Sequence, residues 1–118
     1  MQMPDPNPAI LAKKAALVER LQEVLPADAV ITDAAETRAY ECDALTAYKC
    51  PPLAVILPAS TQEVSEALAI CHEMGVPVVP RGSGTSLAGG ALPTADSVIL
   101  GVARLADVLE TDYDNRFI

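Results

Sequence analysis

The sequence predicts an α+β fold in which an N-terminal helix precedes a β-α-β unit and a further strand. Apolar side chains recur at helical spacing in the first 25 residues. Between residues 53 and 102 there are three short apolar runs, "LAVILP", "VPVVP" and "SVILGV". A helical pattern separates the first two runs, and a helix is the usual connection between parallel strands. The 118 residues are enough for one domain.

We expect the first helix to extend from Asn7 to Leu25. Asn7 is a favoured N-cap residue, and Pro8 suits the first turn, where no backbone donor is needed. Pro26 ends the helix. The apolar face consists of Ile10, Leu17, Leu21 and Val24, with Leu11, Val18 and Leu25 beside it.

Between this helix and the first apolar run the pattern is ambiguous. "AVITD" fits a strand or a turn, and "AAETRAYECD" fits a short helix or irregular coil. The first half is predicted to be helical covering structure. The extent of the family resemblance given below sets the boundary between an N-terminal helical segment, residues 1–37, and a main part, residues 38–118.

The β-α-β unit begins with "LAVILP", which is continuously apolar, as in a strand buried on both faces. Ser60 or Thr61 caps the following helix, and Gly75 ends it. "VPVVP" is the second strand, and Pro77 predicts that it lies at a sheet edge or a strand end, because proline cannot donate to the ladder. "SVILGV" is the third strand. The acidic segment "ETDYDN" is a turn, and the following "RFI" is compatible with the start of another strand.

A glycine-rich loop, "RGSGTSLAGG", follows the second strand. All six glycines of the chain lie within residues 75–101, and four lie within residues 82–90. Glycine lets the backbone approach a ligand closely, and successive N–H groups in such a loop form a concave anion site. Arg81 is the only Lys or Arg between Lys49 and Arg104. The loop therefore favours a phosphate-like ligand.

The loop matches neither of two familiar phosphate motifs. A P-loop requires Lys where Gly90 stands, and the Rossmann fingerprint requires Gly where Leu87 stands. The residues alone leave two alternatives, a phosphate site or a structural turn whose glycines provide tight geometry.

The segment "PRGSGTSLAGGALP" resembles the flavin-pyrophosphate loop of FAD-linked oxidases of the vanillyl-alcohol oxidase / p-cresol methylhydroxylase type. The preceding "YECDALTAYKCPPLAVILP" is similar to the 2-hydroxy-acid branch of that family, the FAD-binding subunits of bacterial glycolate oxidases and the D-lactate dehydrogenases. The resemblance covers about residues 38–118. It implies the first lobe of such an FAD domain. It also implies a truncated chain, because the family's substrate-side residues lie further downstream.

The resemblance implies that the loop holds FAD. The matching residues are Pro80, Arg81, Gly82, Ser83, Gly84, Thr85 and Ser86 for the pyrophosphate, and Gly89, Gly90 and Ala91 toward the flavin. Family members that link FAD covalently often use a His in this loop. Thr85 stands at that position, so we expect non-covalent FAD.

The resemblance also implies what the protein acts on and with. The full-length protein is expected to oxidise a small 2-hydroxy acid, with other oxidase subunits as partners. For the 118 residues alone we expect weak FAD binding, no turnover, and dimerisation through an exposed sheet edge. The alternative is a non-catalytic binding or interaction module derived from such a domain.

Other candidate residues each have two interpretations. Arg81 either neutralises the pyrophosphate or pairs with a carboxylate and shapes the loop. Asp43 in "ECDAL" is a cap or turn former in preference to a catalytic base. His72 has no spaced ligand partners for a metal. Cys71 lies on the apolar face of its helix and is expected in the core.

Composition excludes several classes. The net charge of −8 argues against nucleic acid and anionic membrane surfaces. The three cysteines form no CxxC pair, and the N-terminus shows no signal-peptide pattern. No apolar run approaches the roughly 18 residues of a membrane span. We therefore expect a cytoplasmic protein. For the full-length form, peripheral association with the inner face of the membrane is the alternative.

Overall fold

The computed structural model describes residues 3–118. Its helices are α1 (Pro8–Leu11), α2 (Lys14–Val24), α3 (Ala34–Thr37) and α4 (Thr61–Met74). Its strands are β1 (Val30–Ile31), β2 (Ala54–Ile56), β3 (Val78–Arg81) and β4 (Val98–Gly101). They form one sheet in the order β1-β2-β4-β3, in which β1 is antiparallel to β2 and the other neighbours are parallel. The predicted α+β class, with its β-α-β unit and further strand, is confirmed.

The centre of the sheet consists of β2 and β4, and every residue of these two strands is buried. Val55 of β2 pairs with Ile99 of β4, and both side chains are fully inaccessible to solvent. The strand that comes last in the sequence therefore lies between the two strands of the β-α-β unit. Continuous apolar runs indicated burial on both faces, and the two central strands show it.

The edge of the sheet beyond β4 is β3, as Pro77 predicted. The carbonyl groups of Pro77 and Arg81 accept hydrogen bonds from the β4 side, at 2.9 and 3.0 Å. Because alternate residues of a strand face the same neighbour, Val78 and Pro80 direct their backbone groups to the free side. Pro80 has no N–H, so this edge lacks one of its two donors.

The prediction of one continuous helix over residues 7–25 is wrong, because a tight turn at Ala12 and Lys13 separates α1 from α2. The N–H of Lys13 donates to the carbonyl of Ile10 at 2.9 Å, a three-residue step in place of the helical four. Lys13 Nζ also donates to the carbonyl of Met74 at 3.0 Å, which ties the turn to the end of α4. Asn7 caps α1 as predicted, and its Oδ1 accepts the N–H of Ala9.

The core forms where α2 packs on α4 and both lie over the sheet. Leu17 and Leu21 of α2 are fully buried in the same cluster as Ala67 and Cys71 of α4. The predicted core position of Cys71 is confirmed. Burial raises the pKa of its thiol to about 11.

The two segments whose pattern was ambiguous form a strand and a short helix, and not a turn and irregular coil. "AVITD" contains β1, which pairs with β2. "AAETRAYECD" contains α3 and a 3-10 turn at Arg38–Tyr40. Asp33 caps α3, because its Oδ1 accepts the N–H of Ala35 at 2.8 Å and that of Glu36 at 3.2 Å.

Helix α4 begins and ends as the sequence predicts. Of the two candidate caps Ser60 is the one used, and its Oγ accepts the N–H of Glu63 at 3.2 Å. Gly75 ends the helix in the left-handed conformation with φ +68°.

One polar contact joins the N-terminal segment to the connection before β4. Asp96 accepts the N–H of Asn7 at 2.8 Å and the hydroxyl of Thr94 at 2.7 Å. These two hydrogen bonds hold the pKa of Asp96 below its ordinary value, and the bond from Asn7 lowers it the most.

The residues after β4 form no named helix or strand. Their acidic part is the predicted turn, where the Asp112 side chain accepts the N–H groups of Asp114 and Asn115. Within residues 3–118, "RFI" takes part only in an isolated bridge between Asp112 and Phe117. None of the described helices combines the length and the apolar character needed to cross a bilayer.

Candidate functional site

The glycine loop starts where β3 ends, at the edge of the sheet where the parallel strands β2, β3 and β4 all have their carboxyl ends. In open sheets of this kind ligands bind outside the carboxyl ends of the strands. Most of the loop lies at the surface. The exposed residues are Gly82, Ser83, Thr85 and Gly90. The partly buried residues are Arg81, Gly84, Ser86 and Gly89, and Ala91 is buried at 6% exposure. Pro80, in β3, is also exposed.

The backbone N–H groups of the first half of the loop are free. Among the described residues, the N–H groups of residues 82–87 donate no hydrogen bond to a protein acceptor. An unbroken run of unpaired donors at the surface can bind an anion, because successive N–H groups supply partial positive charge without a side chain. The free run therefore favours the phosphate-site alternative.

The second half of the loop is braced by Ser86. Its Oγ accepts the N–H groups of Ala88 at 3.3 Å and Gly90 at 3.2 Å. The Ser86 oxygen is thus used within the loop, and its single O–H proton remains for another acceptor. Gly89 lies inside this turn with φ +79°, and its carbonyl accepts the N–H of Leu92.

The side chain of Arg81 is directed toward the backbone of Cys42 and of Ala91, at the far end of the loop. Its Nη1 donates to the carbonyl of Cys42 at 2.7 Å and to that of Ala91 at 3.4 Å. Its guanidinium carbon lies 5.6 Å from the centre of the Tyr40 ring. In the described part of the chain Arg81 has no carboxylate within ion-pair distance, so the alternative in which it pairs with a carboxylate is not seen. The predicted role in shaping the loop has these two hydrogen bonds as its support.

Gly84 lies directly against the Arg81 side chain. It has φ +72°, and a Cβ atom at this position would collide with Nη2 of Arg81. Gly82 and Gly89, by contrast, have open space where a Cβ would lie. The glycines therefore have two different roles. Gly84 allows close packing against Arg81, and Gly82 and Gly89 leave the loop surface unobstructed.

Asp43 is a turn former, as the sequence favours. Its Oδ1 accepts the N–H of Leu45 at 3.0 Å, and the residue is 4% exposed. Its Oδ2 is buried without a hydrogen-bond partner among the described residues. His72 lies exposed in the last turn of α4, on a different element from the loop.

Three groups at the site were not found by sequence reasoning. They are the ring of Tyr40 and the carbonyls of Cys42 and Ala91, all partners of Arg81. A carbonyl is present in every residue, so no residue pattern marks the ones that face an arginine. The segment "YECD" was singled out for its resemblance, and that was the one available signal.

An apolar groove borders the second half of the loop. It is lined by Met3, Pro4, Leu45, Tyr48, Ala88, Gly89 and Leu92. The site thus combines a polar run of free amides with an adjoining apolar surface, as a ligand with both an anionic and an aromatic part requires. Within residues 3–118 no group of three His, Cys, Asp or Glu side chains is arranged to hold a metal ion.

Comparison with known proteins gives a family match over the second half of the chain. A family described as FAD binding domain matches residues 52–118. The chain is 43% identical over 96 residues to the glycolate oxidase subunit GlcD of Escherichia coli K12, which covers 81% of this chain. It is 42% identical over 62 residues to the D-lactate dehydrogenase of Archaeoglobus fulgidus, which covers 52% of this chain. The chain spans 19% and 14% of the lengths of these two relatives.

Among solved structures the fold is similar to that of p-cresol methylhydroxylase. The TM-score is 0.73 at 19% identity, and the match covers 93% of this chain and 22% of that enzyme. The predicted resemblance to FAD domains of this type is confirmed at the level of the fold.

Proposed function

Because this chain belongs to the FAD binding domain family, we propose that it is the FAD-binding portion of a flavin-dependent 2-hydroxy-acid oxidoreductase of the glycolate oxidase or D-lactate dehydrogenase type. The observation that carries the proposal is the run of unpaired N–H groups at residues 82–87, on the surface beyond the carboxyl ends of the parallel strands. Such N–H groups can donate hydrogen bonds to the oxygens of a diphosphate.

We assign the pyrophosphate to the first half of the loop. The free amides of residues 82–86 and the hydroxyls of Ser83 and Thr85 are the donors. Pro80 and Arg81, at the end of β3, hold the start of the loop. Gly89, Gly90 and Ala91 lead from there toward the apolar groove, which suits an aromatic ring. We place this cofactor-binding part within residues 38–118 and treat residues 1–37 as a covering helical segment.

In this proposal the chain holds the cofactor and does not itself perform the reaction. Bound FAD supplies a hydride acceptor for the α-carbon of a hydroxy acid. Oxidation also needs a base for the hydroxyl proton and a cation for the carboxylate. Arg81 is engaged with two carbonyls, and Asp43 is buried in a turn, so neither meets these needs.

We propose non-covalent FAD, because His72 lies on α4 and not in the loop. For the full-length protein we propose further oxidase subunits as partners. Because all three cysteines are free thiols, we propose a reducing, cytoplasmic setting. Peripheral association of the full-length protein with the inner face of the membrane is the alternative. The free edge of β3 is the surface that would support a homodimer.

The test is a ligand series measured by calorimetry on the purified chain. FAD and ADP share a diphosphate, whereas riboflavin has the flavin ring and no phosphate. We expect FAD and ADP to bind and to compete with each other, and riboflavin to bind at least about tenfold more weakly. If riboflavin binds as well as FAD, or if neither FAD nor ADP binds at millimolar concentration, the loop is not a diphosphate site.

The second candidate is a non-catalytic binding or interaction module. The exposed apolar side chains after β4 favour it, among them Val108 at 67%, Leu109 at 89% and Tyr113 at 86% exposure. A chain that binds no flavin nucleotide but self-associates or captures a partner through residues 102–118 would support this candidate over the first.

A further inference from the structure

We infer that Arg81 is a positioning residue that fixes the shape of the glycine loop from beneath, rather than a ligand of the phosphate. The expected effect of Arg81 on FAD affinity rests on the proposed function. The structural content of the inference, an ordered loop without ligand, does not depend on FAD.

The first support is the number of chain segments that Arg81 joins. Its Nη1 donates to Cys42, which precedes β2, and to Ala91, at the far end of the loop. Its own backbone carbonyl accepts the N–H of Val102, beyond β4. One residue therefore connects the start and end of the loop with two neighbouring parts of the chain.

The second support is the close approach of Gly84. The space that a Cβ of Gly84 would occupy is filled by Nη2, Cζ and Nε of the Arg81 guanidinium. The guanidinium also lies near the ring of Tyr40 at 5.6 Å. Because the loop backbone packs on the guanidinium, moving Arg81 to a phosphate would withdraw the support of the turn at Gly84.

The third support is charge. Arg81 is the only cation between Lys49 and Arg104, and among the described residues no carboxylate lies within 4 Å of it. Its positive charge therefore stays uncompensated while its Nη1 donates to two carbonyls. A phosphate in the loop gains from this charge at a distance, and the loop amides make the direct contacts.

The test measures the loop without ligand and the FAD affinity separately. In the purified chain, backbone order parameters of the loop amides should be near 0.85 and should fall below about 0.6 in both Arg81→Lys and Arg81→Gln. Arg81→Lys keeps the charge but removes the planar guanidinium, whose Nη1 donates to both carbonyls and which packs against Gly84. We expect the FAD affinity to fall about tenfold or more in both variants, because a loop that is mobile without Arg81 must be ordered when FAD binds.

A glycine pair separates collision with Arg81 from backbone strain. Gly84→Ala and Gly89→Ala both place a Cβ at positive φ, +72° and +79°, but only the first meets Arg81. Without ligand we expect Gly84→Ala to lower the loop order parameters more than Gly89→Ala does. On an Arg81→Ala background the extra effect of Gly84→Ala should disappear, because the guanidinium is gone.

The outcomes are distinct. If the loop stays ordered in Arg81→Lys and the affinity is kept, charge alone matters and the inference is overturned. If the order falls in the Arg81 variants while the wild-type chain binds no FAD, the positioning role stands and the proposed function fails. Equal effects of Gly84→Ala and Gly89→Ala on both backgrounds would also overturn the inference, because packing against Arg81 would then be irrelevant.

Discussion

The Ser86 hydroxyl gives a sharp test of how the second half of the loop is built. Its oxygen accepts two backbone N–H groups, from Ala88 and Gly90. Replacing Ser86 with Ala removes both bonds without changing the backbone. A hydrogen bond contributes about 0.5–1.5 kcal/mol net, and both donors lie at the exposed surface, where water replaces the lost partner. We therefore take the low end for each bond and expect a loss of about 1 kcal/mol in the free energy of unfolding.

For a domain of this size such a loss lowers the melting temperature by roughly 3–6 °C. Thermal unfolding followed by circular dichroism measures it. The matched control is Ser83→Ala, because Ser83 is exposed and its hydroxyl has no partner in the part of the chain that the structure describes. We expect the control to change the stability by less than about 0.5 kcal/mol.

Hydrogen exchange locates the effect in the loop. The amides of Ala88 and Gly90 should exchange faster in Ser86→Ala than in the wild-type chain, because exchange requires an unbonded N–H. The reasoning is refuted if the two alanine variants melt together and exchange at these amides is unchanged. The two hydrogen bonds to Ser86 would then contribute nothing measurable to the free energy of unfolding.

Four further outcomes are expected. Ser60→Ala should lower the free energy of unfolding by about 0.5–2 kcal/mol because it removes the cap of α4, whereas Thr61→Ala, at the next position, should have a small effect in the same urea titration. The pKa of Asp96 is lower when folded, so its contribution is present above about pH 4 and is lost as the pH falls through the folded value; Asp96→Asn should flatten that acid limb of stability against pH. The pKa of the Cys71 thiol is raised to about 11 on folding, so stability should fall as the pH rises above 9, and a thiol reagent at pH 8 should label this cysteine only after denaturation. Pro80→Val supplies the donor that the free edge of β3 lacks, and sedimentation should show more self-association than for the wild type; an unchanged monomer fraction would speak against edge pairing.

The local elements were predictable where one residue type decides the backbone. Asn7 and Ser60 begin helices because their side chains accept the first free N–H groups, and Gly75 ends one because it adopts positive φ. Proline at position 77 predicted a sheet edge or a strand end, and it lies directly before β3, which is the edge. Each of these preferences acts within a few residues, so a single sequence contains it.

The break between α1 and α2 was not predictable in this way. Ile10 and Leu17 keep helical spacing in the sequence although the break lies between them. The break is a single three-residue step, which rotates the following side chains by only a fraction of a turn about the helix axis. The turn is tied by Lys13 to the carbonyl of Met74, a contact across 61 residues. A periodicity pattern carries no information on such a contact.

By itself the sequence determined that this chain has three apolar strands, a capped helix between the first two, and a glycine-rich loop after the second. It also determined the family through "PRGSGTSLAGG". Only the tertiary structure decided that β4 enters between β2 and β3, and that Arg81 turns beneath the loop toward Cys42 and Ala91. The physical reason is that helix caps and turns are set by neighbours in the chain. The partners of a sheet edge or a guanidinium, by contrast, are backbone groups that every residue has, and only folding selects which of them meet.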